Sequence, residues 1–361
     1  MSFVIGGLGL AVPEQQVEQS RAAELSSRLA GHDEDQARRL AVLYRRSGVK
    51  TRHVALLDHL GGGELELAPD PLGPTTRMRM DQYEATVAPL ALAASGRALA
   101  AGPVDPSAIT HLVTVSCTGF HAPGFDLALI RGLGLNPGVA RTHVGFMGCH
   151  GALNGLRVAR AFAASEPAAR VLVCAAELCS LHFRFGWDAE QAVSNALFGD
   201  GAAALVGFGE RWPGVKGEGD RAWRLVANGS QVMPDTAEAM SWRIGDNGFA
   251  MTLAPQVAGH IRANLRPWLQ GWLARHDLAI GDVGSWAVHP GGPRILDAVG
   301  AALDLPPAAL ATSRTVLAEC GNMSSPTVLF ILDRLRRAEA PLPCVALGFG
   351  PGLAIEAALF V

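Results

Sequence analysis

Lysine is nearly missing from this chain: Lys50 and Lys216 are the only two among 361 residues, and arginine carries the remaining basic charge. Lysine-based covalent chemistry therefore has little to draw on. Charge of any kind is sparse at 17%, and the formal net charge is only -3. That balance gives no general attraction to nucleic acid. No run approaches the ~20 unbroken apolar residues of a membrane-spanning helix. The N-terminus has no basic leader segment, and Pro13 interrupts its apolar start. The expectation is a soluble, cytoplasmic protein without a membrane or nucleic-acid partner. The six cysteines, Cys117, Cys149, Cys174, Cys179, Cys320 and Cys344, form no Cys-x-x-Cys pair. Neither a zinc site nor a disulfide framework is indicated. What is plentiful is apolar residue, 49% of the chain. Over this length that supports a large core, in two domain-sized halves.

The chain alternates apolar strand-like runs with helical patterns. Residues 3–12 read as a glycine-rich buried strand stopped by Pro13, and 14–29 and 33–46 as helices. The second helix runs into the densest basic cluster, which contains Arg45, Arg46, Lys50 and Arg52. It reads either as a solvated helix end complementing its dipole or as a rim for an anionic cofactor's phosphates. Residues 61–74 form a Gly/Pro-rich loop, and 77–101 a long helix buried on most sides. Residues 111–116, 170–176, 224–228, 285–288, 345–349 and 353–361 read as strands. Residues 151–164, 188–195, 255–275 and 323–336 read as helices, with Asn322 as the N-cap of the last. Residues 240–250 read as irregular, and 211–219 as a turn-rich connector.

One stretch organises the rest: Gly145-Phe-Met-Gly-Cys149-His-Gly151. Its Cys149 lies between a short apolar segment, 142–147, and a small-residue helix, the pattern of a strand turning sharply into a helix. At such a turn free N–H groups and the positive dipole end lie near the sulfur, which favours the thiolate. Cys149 is equally readable as a packed, inert core cysteine. His289 likewise ends a strand. A Cys–His pair makes a thiolate nucleophile, and a third polar group such as Asn322 completes an oxyanion site. A papain-like hydrolase has the same residue order, but carries its cysteine near the mature N-terminus in another motif. A repeat is also visible. Phe198-Gly199-Asp-Gly201-Ala-Ala203 is echoed by Phe349-Gly350-Pro-Gly352-Leu-Ala354, each leading into an apolar strand. Duplicated halves suggest a pseudo-two-fold α/β protein.

These motifs together carry a family resemblance. Gly148-Cys149, Ala196-Leu-Phe198-Gly-Asp-Gly201, Val288-His289-Pro-Gly-Gly292-Pro293, Gly321-Asn322-Met-Ser324-Ser325 and Gly348-Phe-Gly-Pro-Gly352 lie in order along nearly the whole chain. The chain resembles a type III polyketide synthase of the chalcone/stilbene synthase superfamily, bacterial branch. The resemblance implies an α/β thiolase-like fold of two pseudo-repeated βαβαβ halves in a layered α-β-α-β-α core. It places an N-terminal half at 1–211, carrying Cys149, and a C-terminal half at 220–361, carrying His289 and Asn322.

By the same resemblance, Cys149 takes a starter acyl group from coenzyme A as a thioester. His289 pairs with the thiolate and, with Asn322, binds the thioester oxygen of malonyl-CoA during decarboxylation. The enolate then attacks the acyl-Cys149 carbonyl, and repeated extension and cyclisation give a pyrone or phenol. Phe198 falls on the gatekeeper position, and Arg46 and Lys50 where the family binds CoA phosphates. Met251, Cys117, Cys179, His182, Trp242, Gly292 and Ser324 are expected to contact substrate. Met251 replaces the second aromatic gatekeeper of the plant enzymes. Cys117, Cys179 and His182 replace threonines of plant chalcone synthases, and Cys117 and Cys179 are similar to bacterial tetrahydroxynaphthalene synthases. Trp242 stands where plant enzymes have glycine and would narrow the cavity, and His150 beside the nucleophile is a further departure. No metal, nicotinamide or flavin is implied, because decarboxylation supplies the carbanion. The implied partners are an acyl-CoA starter and malonyl-CoA, and the assembly a homodimer. Two alternatives are a ketoacyl-ACP synthase III-like enzyme condensing once and a cysteine thioester hydrolase; a catalytically silent scaffold is disfavoured by the intact triad.

Overall fold

The computed structural model describes residues 2–55, 72–210 and 222–361. The connector at 211–219 and the loop at 61–74, up to residue 71, lie outside the described residues. In chain order the strands are β1 (Phe3–Ala11), β2 (Gln16–Glu18), β3 (Thr51–His53), β4 (His111–Ser116), β5 (Ala140–Gly145), β6 (Arg170–Leu178), β7 (Asp200–Gly209), β8 (Arg224–Val232), β9 (Met240–Gly245), β10 (Gly248–Leu253), β11 (Ser285–Val288), β12 (Cys344–Gly350) and β13 (Ala354–Phe360). The α-helices are α1 (Gln19–Leu29), α2 (Glu34–Arg46), α3 (Thr76–Ala101), α4 (Phe125–Leu133), α5 (Gly151–Ser165), α6 (Ala189–Leu197), α7 (Val257–Ala274), α8 (Pro293–Leu303), α9 (Ala311–Cys320) and α10 (Thr327–Arg337).

The main sheet has the order β11-β12-β13-β8-β1-β7-β6-β4-β5. It contains the same pattern twice. In the first half β1 pairs antiparallel with β7, β7 antiparallel with β6, and β6 parallel with β4. In the second half β8, β13, β12 and β11 repeat those polarities in the same order. The halves join where β1 meets β8, with Phe3 opposite Leu225. The second half has no counterpart of β5 among the described residues; there the chain runs through α9 into the Asn322 loop. The sequence repeat maps onto β7 and β13, which are equivalent strands. Its first phenylalanines are not equivalent, because Phe198 follows α6 whereas Phe349 lies within β12.

Helices α5 and α10 fill the middle layer. Leu153 and Leu156 of α5 and Val328 and Ile331 of α10 share one core with Val113, Val171, Ala287 and Ala346 of the strands. Helices α3 and α4 cover the opposite face of the first half, and α7 and α8 that of the second. The result is the expected α-β-α-β-α layering. Strands covered on both faces read as unbroken apolar runs, which is why β6 and β7 were legible.

Three expectations change. Residues 16–18 form β2 against β3, so α1 begins at Gln19. Residues 240–253 form a hairpin rather than an irregular segment, with Trp242 opposite Met251 and a turn at Asp246-Asn247 before Gly248. Gly248, at φ +97°, takes the left-handed position just after the turn, where hairpins closed by a bulge favour glycine. Asn322 is not a helix N-cap: α10 starts at Thr327 after Pro326, and Asn322 lies in an extended bridge beside Phe198. Proline is favoured at a helix start because it has no N–H to leave unpaired. Among the described residues no helix is long and apolar enough to cross a membrane.

Candidate functional site

Cys149 sits where the sequence placed a turn. β5 ends at Gly145, a single 3₁₀ turn spans Gly148–His150, and α5 starts at Gly151. Gly148 has φ +73°, and a Cβ there would come within 2.6 Å of Pro351 Cδ. Only glycine meets both demands cheaply. The electrostatic expectation is corrected. Burial pushes the Cys149 thiol up to about 11, and hydrogen bonds from Ser324 and Asn322 only partly oppose it. The residue is only 7% exposed and lies in the 3₁₀ turn ahead of α5, so loss of water outweighs the dipole.

Two side chains from the second half approach it. Asn322 Nδ2 donates toward Cys149 Sγ at 3.9 Å. Its Oδ1 accepts from the Ser324 N–H at 2.8 Å, which fixes the amide's orientation. The backbone is held as well, through Asn322 N–H to Leu197 O at 2.8 Å and Gly199 N–H to Asn322 O at 3.0 Å. Gly321, at φ +70°, would place a Cβ 2.9 Å from Leu197 O. His289 follows β11 and donates its backbone N–H to Leu347 O at 2.8 Å. Its imidazole is 1% exposed, and neither ring nitrogen has a protein partner. Burial first, then neighbouring His150, lowers its pKa to about 3. Cys149, His289 and Asn322 line one small cavity of about 310 Å³, together with Met251, Phe349 and Gly291. The resting pair is thus a neutral thiol and a neutral imidazole with free nitrogens.

A second cavity of about 1070 Å³ also opens on Cys149. Phe198, Met251, Cys117, Cys179, His182, Trp242 and Ser324 all line it. Their detailed roles differ. Both His182 nitrogens are occupied: Nε2 donates to Thr118 O at 2.6 Å and Nδ1 accepts from the Phe249 N–H at 3.0 Å. Burial drives its pKa down to about 3, and the neutral ring, with both nitrogens engaged, stacks on Phe249 at 4.1 Å. Trp242 Nε1 donates to Cys117 O at 2.7 Å, and its indole meets His182 edge-on at 5.3 Å. Cys117 Sγ lies 3.3 Å from Ser324 Oγ. Burial pushes the Cys117 and Cys179 thiols well up, so both stay protonated. His150 is buried, with Nδ1 2.7 Å from Asn154 Oδ1, and burial lowers its pKa.

Gly292 lies elsewhere. With Arg39, Arg46 and Arg294 it lines an outer cleft of about 1340 Å³. That cleft shares Leu253, Gly291 and Ile295 with the small cavity, so the two adjoin. Lys50 is exposed and outside the cleft lining. Among the described residues no cluster of His, Cys, Asp and Glu could hold a metal ion.

The sequence reading gave no role to Glu177. This fully buried carboxyl ends β6 and accepts from Cys117 N–H (2.9 Å), Thr118 N–H (3.1 Å), Thr118 Oγ1 (2.7 Å) and Ser325 Oγ. It ties the Cys117 turn to the Asn322 loop across the two halves. Burial raises its pKa against those hydrogen bonds. The available signal was a single acid inside an otherwise apolar strand. Arg39 and Arg294 were also missed, because only folding brings them beside Arg46.

Family models of the chalcone and stilbene synthases match residues 2–209 (N-terminal domain) and 224–361 (C-terminal domain). The alpha-pyrone synthesis polyketide synthase-like Pks18 of Mycobacterium tuberculosis is 35% identical over 361 residues, covering 99% of this chain and 90% of its own. The 1,3,6,8-tetrahydroxynaphthalene synthase of Streptomyces peucetius subsp. caesius is 34% identical, covering 98% of this chain and 91% of its own. The solved structure of PKS-I from the brown alga Ectocarpus siliculosus matches with TM-score 0.92 at 30% identity, over 100% of this chain and 98% of that one.

Proposed function

Since the chain belongs to the chalcone and stilbene synthase family, we propose that it is a type III polyketide synthase that extends an acyl starter with malonyl-CoA and cyclises it to a pyrone or phenol. The observation that carries this is the convergence of Cys149, His289 and Asn322 on one small cavity that adjoins an arginine-lined cleft.

The steps follow from that geometry. Burial disfavours charge on both Cys149 and His289, so the proton passes from sulfur to imidazole only as the new ions offset each other. The sulfur then adds to the starter thioester carbonyl, the carbon–sulfur bond to CoA breaks, and the imidazolium returns a proton to the departing CoA thiolate. Malonyl-CoA next places its thioester oxygen between His289 and Asn322 Nδ2. As carbon dioxide leaves, the electron pair moves onto that oxygen as an enolate. A donor placed where charge develops is worth ~3–4 kcal/mol of barrier. The enolate carbon attacks the acyl-Cys149 carbonyl, releasing the thiolate and a β-ketoacyl-CoA two carbons longer. That product reacylates Cys149 for the next round. So written, the reaction draws on no metal, nicotinamide or flavin. Arg39, Arg46 and Arg294 supply the cleft with charge for the CoA phosphates, and Lys50 adds to it from outside.

The same reading includes a homodimer. β5 is an edge strand of the main sheet, and open edges invite pairing. Beside it Phe120, Phe146 and Met147 are 53%, 37% and 38% exposed, with the two phenyl rings 6.0 Å apart. A monomeric mass in solution would overturn that part.

The test is incubation with labelled malonyl-CoA and a panel of acyl-CoA starters. Labelled pyrones or phenols are expected. A strict need for an acyl carrier protein would point to a single-condensation synthase, and release of free acid alone to a thioester hydrolase.

A further inference from the structure

Arg52 belongs to the basic cluster that follows α2, yet it is buried. The residue is 5% exposed, and its guanidinium lies over the Tyr44 ring at 5.3 Å. Asp200 senses its charge. That carboxylate, however, accepts from the Ala55 and Ser180 N–H groups, both at 2.7 Å, and from Ser180 Oγ at 2.5 Å. The directed bonds of Arg52 go to main-chain carbonyls instead. Nη1 donates to Asn195 O at 2.6 Å and to Phe198 O at 2.7 Å. Burying a cation among neutral groups is costly, and an apolar residue would fill this place in β3 without that cost.

The two carbonyls belong to the end of α6. In a helix that continued, Gly199 N–H would donate to Asn195 O. Here it donates to Asn322 O at 3.0 Å. Arg52 takes the vacated place at Asn195 O, where a cation also suits the negative end of the helix. Its bond to Phe198 O fixes the peptide just after Leu197, whose own carbonyl accepts from Asn322 N–H at 2.8 Å. The stem of Arg52 completes the packing. A Cβ on Gly199 would lie 3.2 Å from Arg52 Cβ, and one on Gly321 would lie 3.4 Å from it. Arg52 therefore bears on both sides of the bridge between Phe198 and Asn322.

We propose that Arg52 is a positioning residue for the oxyanion site. By capping α6 at Asn195 and Phe198 it frees the Gly199 N–H for Asn322, and so sets where Asn322 Nδ2 stands relative to Cys149. This deepens the polyketide synthase reading and rests on it. The basic cluster then divides by burial: Arg46 reaches the outer cleft, whereas Arg52 holds the loop on which the reaction depends.

The experiment compares Arg52→Met, which keeps a stem and removes the donors, with Arg52→Lys, which keeps a cation and its donors on a shorter stem. Three things are measured: carbon dioxide release from malonyl-CoA, acylation of Cys149 by intact mass, and amide hydrogen exchange of the peptides containing Gly199 and Asn322. Arg52→Met should lower kcat for decarboxylation about 10- to 100-fold with KM nearly unchanged, the effect of a donor misplaced by about 1 Å. Arg52→Lys should lose less. Acylation should fall much less in both, because His289 takes the sulfur's proton, and both peptides should exchange faster. Added to Asn322→Ala, Arg52→Met should cost decarboxylation little more, since the two act as one unit. Equal losses in acylation and decarboxylation, or full additivity with Asn322→Ala, would overturn the proposal. Unchanged exchange of both peptides in Arg52→Lys would overturn it even where Arg52→Met fails to fold. Absence of carbon dioxide release by the parent protein would overturn the polyketide synthase reading; release by the parent that folded Arg52 variants match would overturn this inference alone.

Discussion

Replacing Asn322 by alanine separates the catalytic part of the site from its scaffold. The backbone bonds to Leu197 and Gly199 do not involve the side chain, so the loop keeps its anchor. Two side-chain functions are lost. Nδ2, aimed at Cys149 Sγ from 3.9 Å, no longer meets the developing oxyanion. Loss of one such donor costs ~3–4 kcal/mol, or roughly 10²–10³ in rate. Oδ1 no longer accepts from the buried Ser324 N–H, which costs ~1–3 kcal/mol of stability. The assays are carbon dioxide release from malonyl-CoA, starter loading on Cys149 by intact mass, and thermal unfolding. Decarboxylation should fall by two to three orders of magnitude and the midpoint by a few degrees. Loading should fall much less, because the proton acceptor for the sulfur is His289. Decarboxylation within tenfold of the parent, in a folded variant, would refute the reasoning.

Glu177→Gln puts an amide NH₂ among donors that need an acceptor; it should cost ~2–5 kcal/mol in urea unfolding and weaken activity through the Cys117 and Ser325 contacts, and an unchanged midpoint would contradict this. Trp242→Ala removes a half-buried indole and the partner of Cys117 O; it should destabilise by ~2–4 kcal/mol and shift products toward longer polyketides by chromatography. Acid should destabilise the fold. His182 and His289 are held near pKa 3 by burial, against ~6.5 when unfolded, so their stabilisation is complete above ~6.5 and is lost as pH falls toward 3. Asp200, raised to about 6 by burial, works in the opposite sense between about 6 and its unfolded value near 3.9. Since one unit is worth ~1.4 kcal/mol per group, the net loss just below pH 6.5 is about 1–3 kcal/mol per unit. Urea midpoints at pH 7.5, 6.5 and 5.5 check it, and a midpoint that rises on acidification would refute it.

Much of the site was legible because its residues sit at strand ends in short motifs. Cys149, His289 and the Phe198 stretch each follow or precede an apolar run, and glycines mark the tight turns. The sheet was legible for a related reason: strands buried on both faces leave unbroken apolar segments. Other features depend on neighbours distant in sequence. Asn322 has the local look of a helix cap, and only the bridge to Phe198 shows that it is extended. The hairpin at 240–253 alternates weakly, because Trp242 and Met251 face a cavity rather than a continuous core. The Cys149 thiol moved opposite to expectation because sequence shows the helix ahead of it but not the burial around it. Arg39, Arg46 and Arg294 come from two helices and converge only when α2 and α8 flank the same cleft.

The most direct test of the central claim is to map what becomes attached to the protein. After brief exposure to an acyl-CoA and then malonyl-CoA, the peptide containing Cys149 should carry first the starter acyl group and then the starter lengthened by ketide units, and Cys149→Ala should carry neither. Acylation of Cys117, Cys179 or any other cysteine in place of Cys149, or an unmodified Cys149 peptide while product accumulates, would contradict the account.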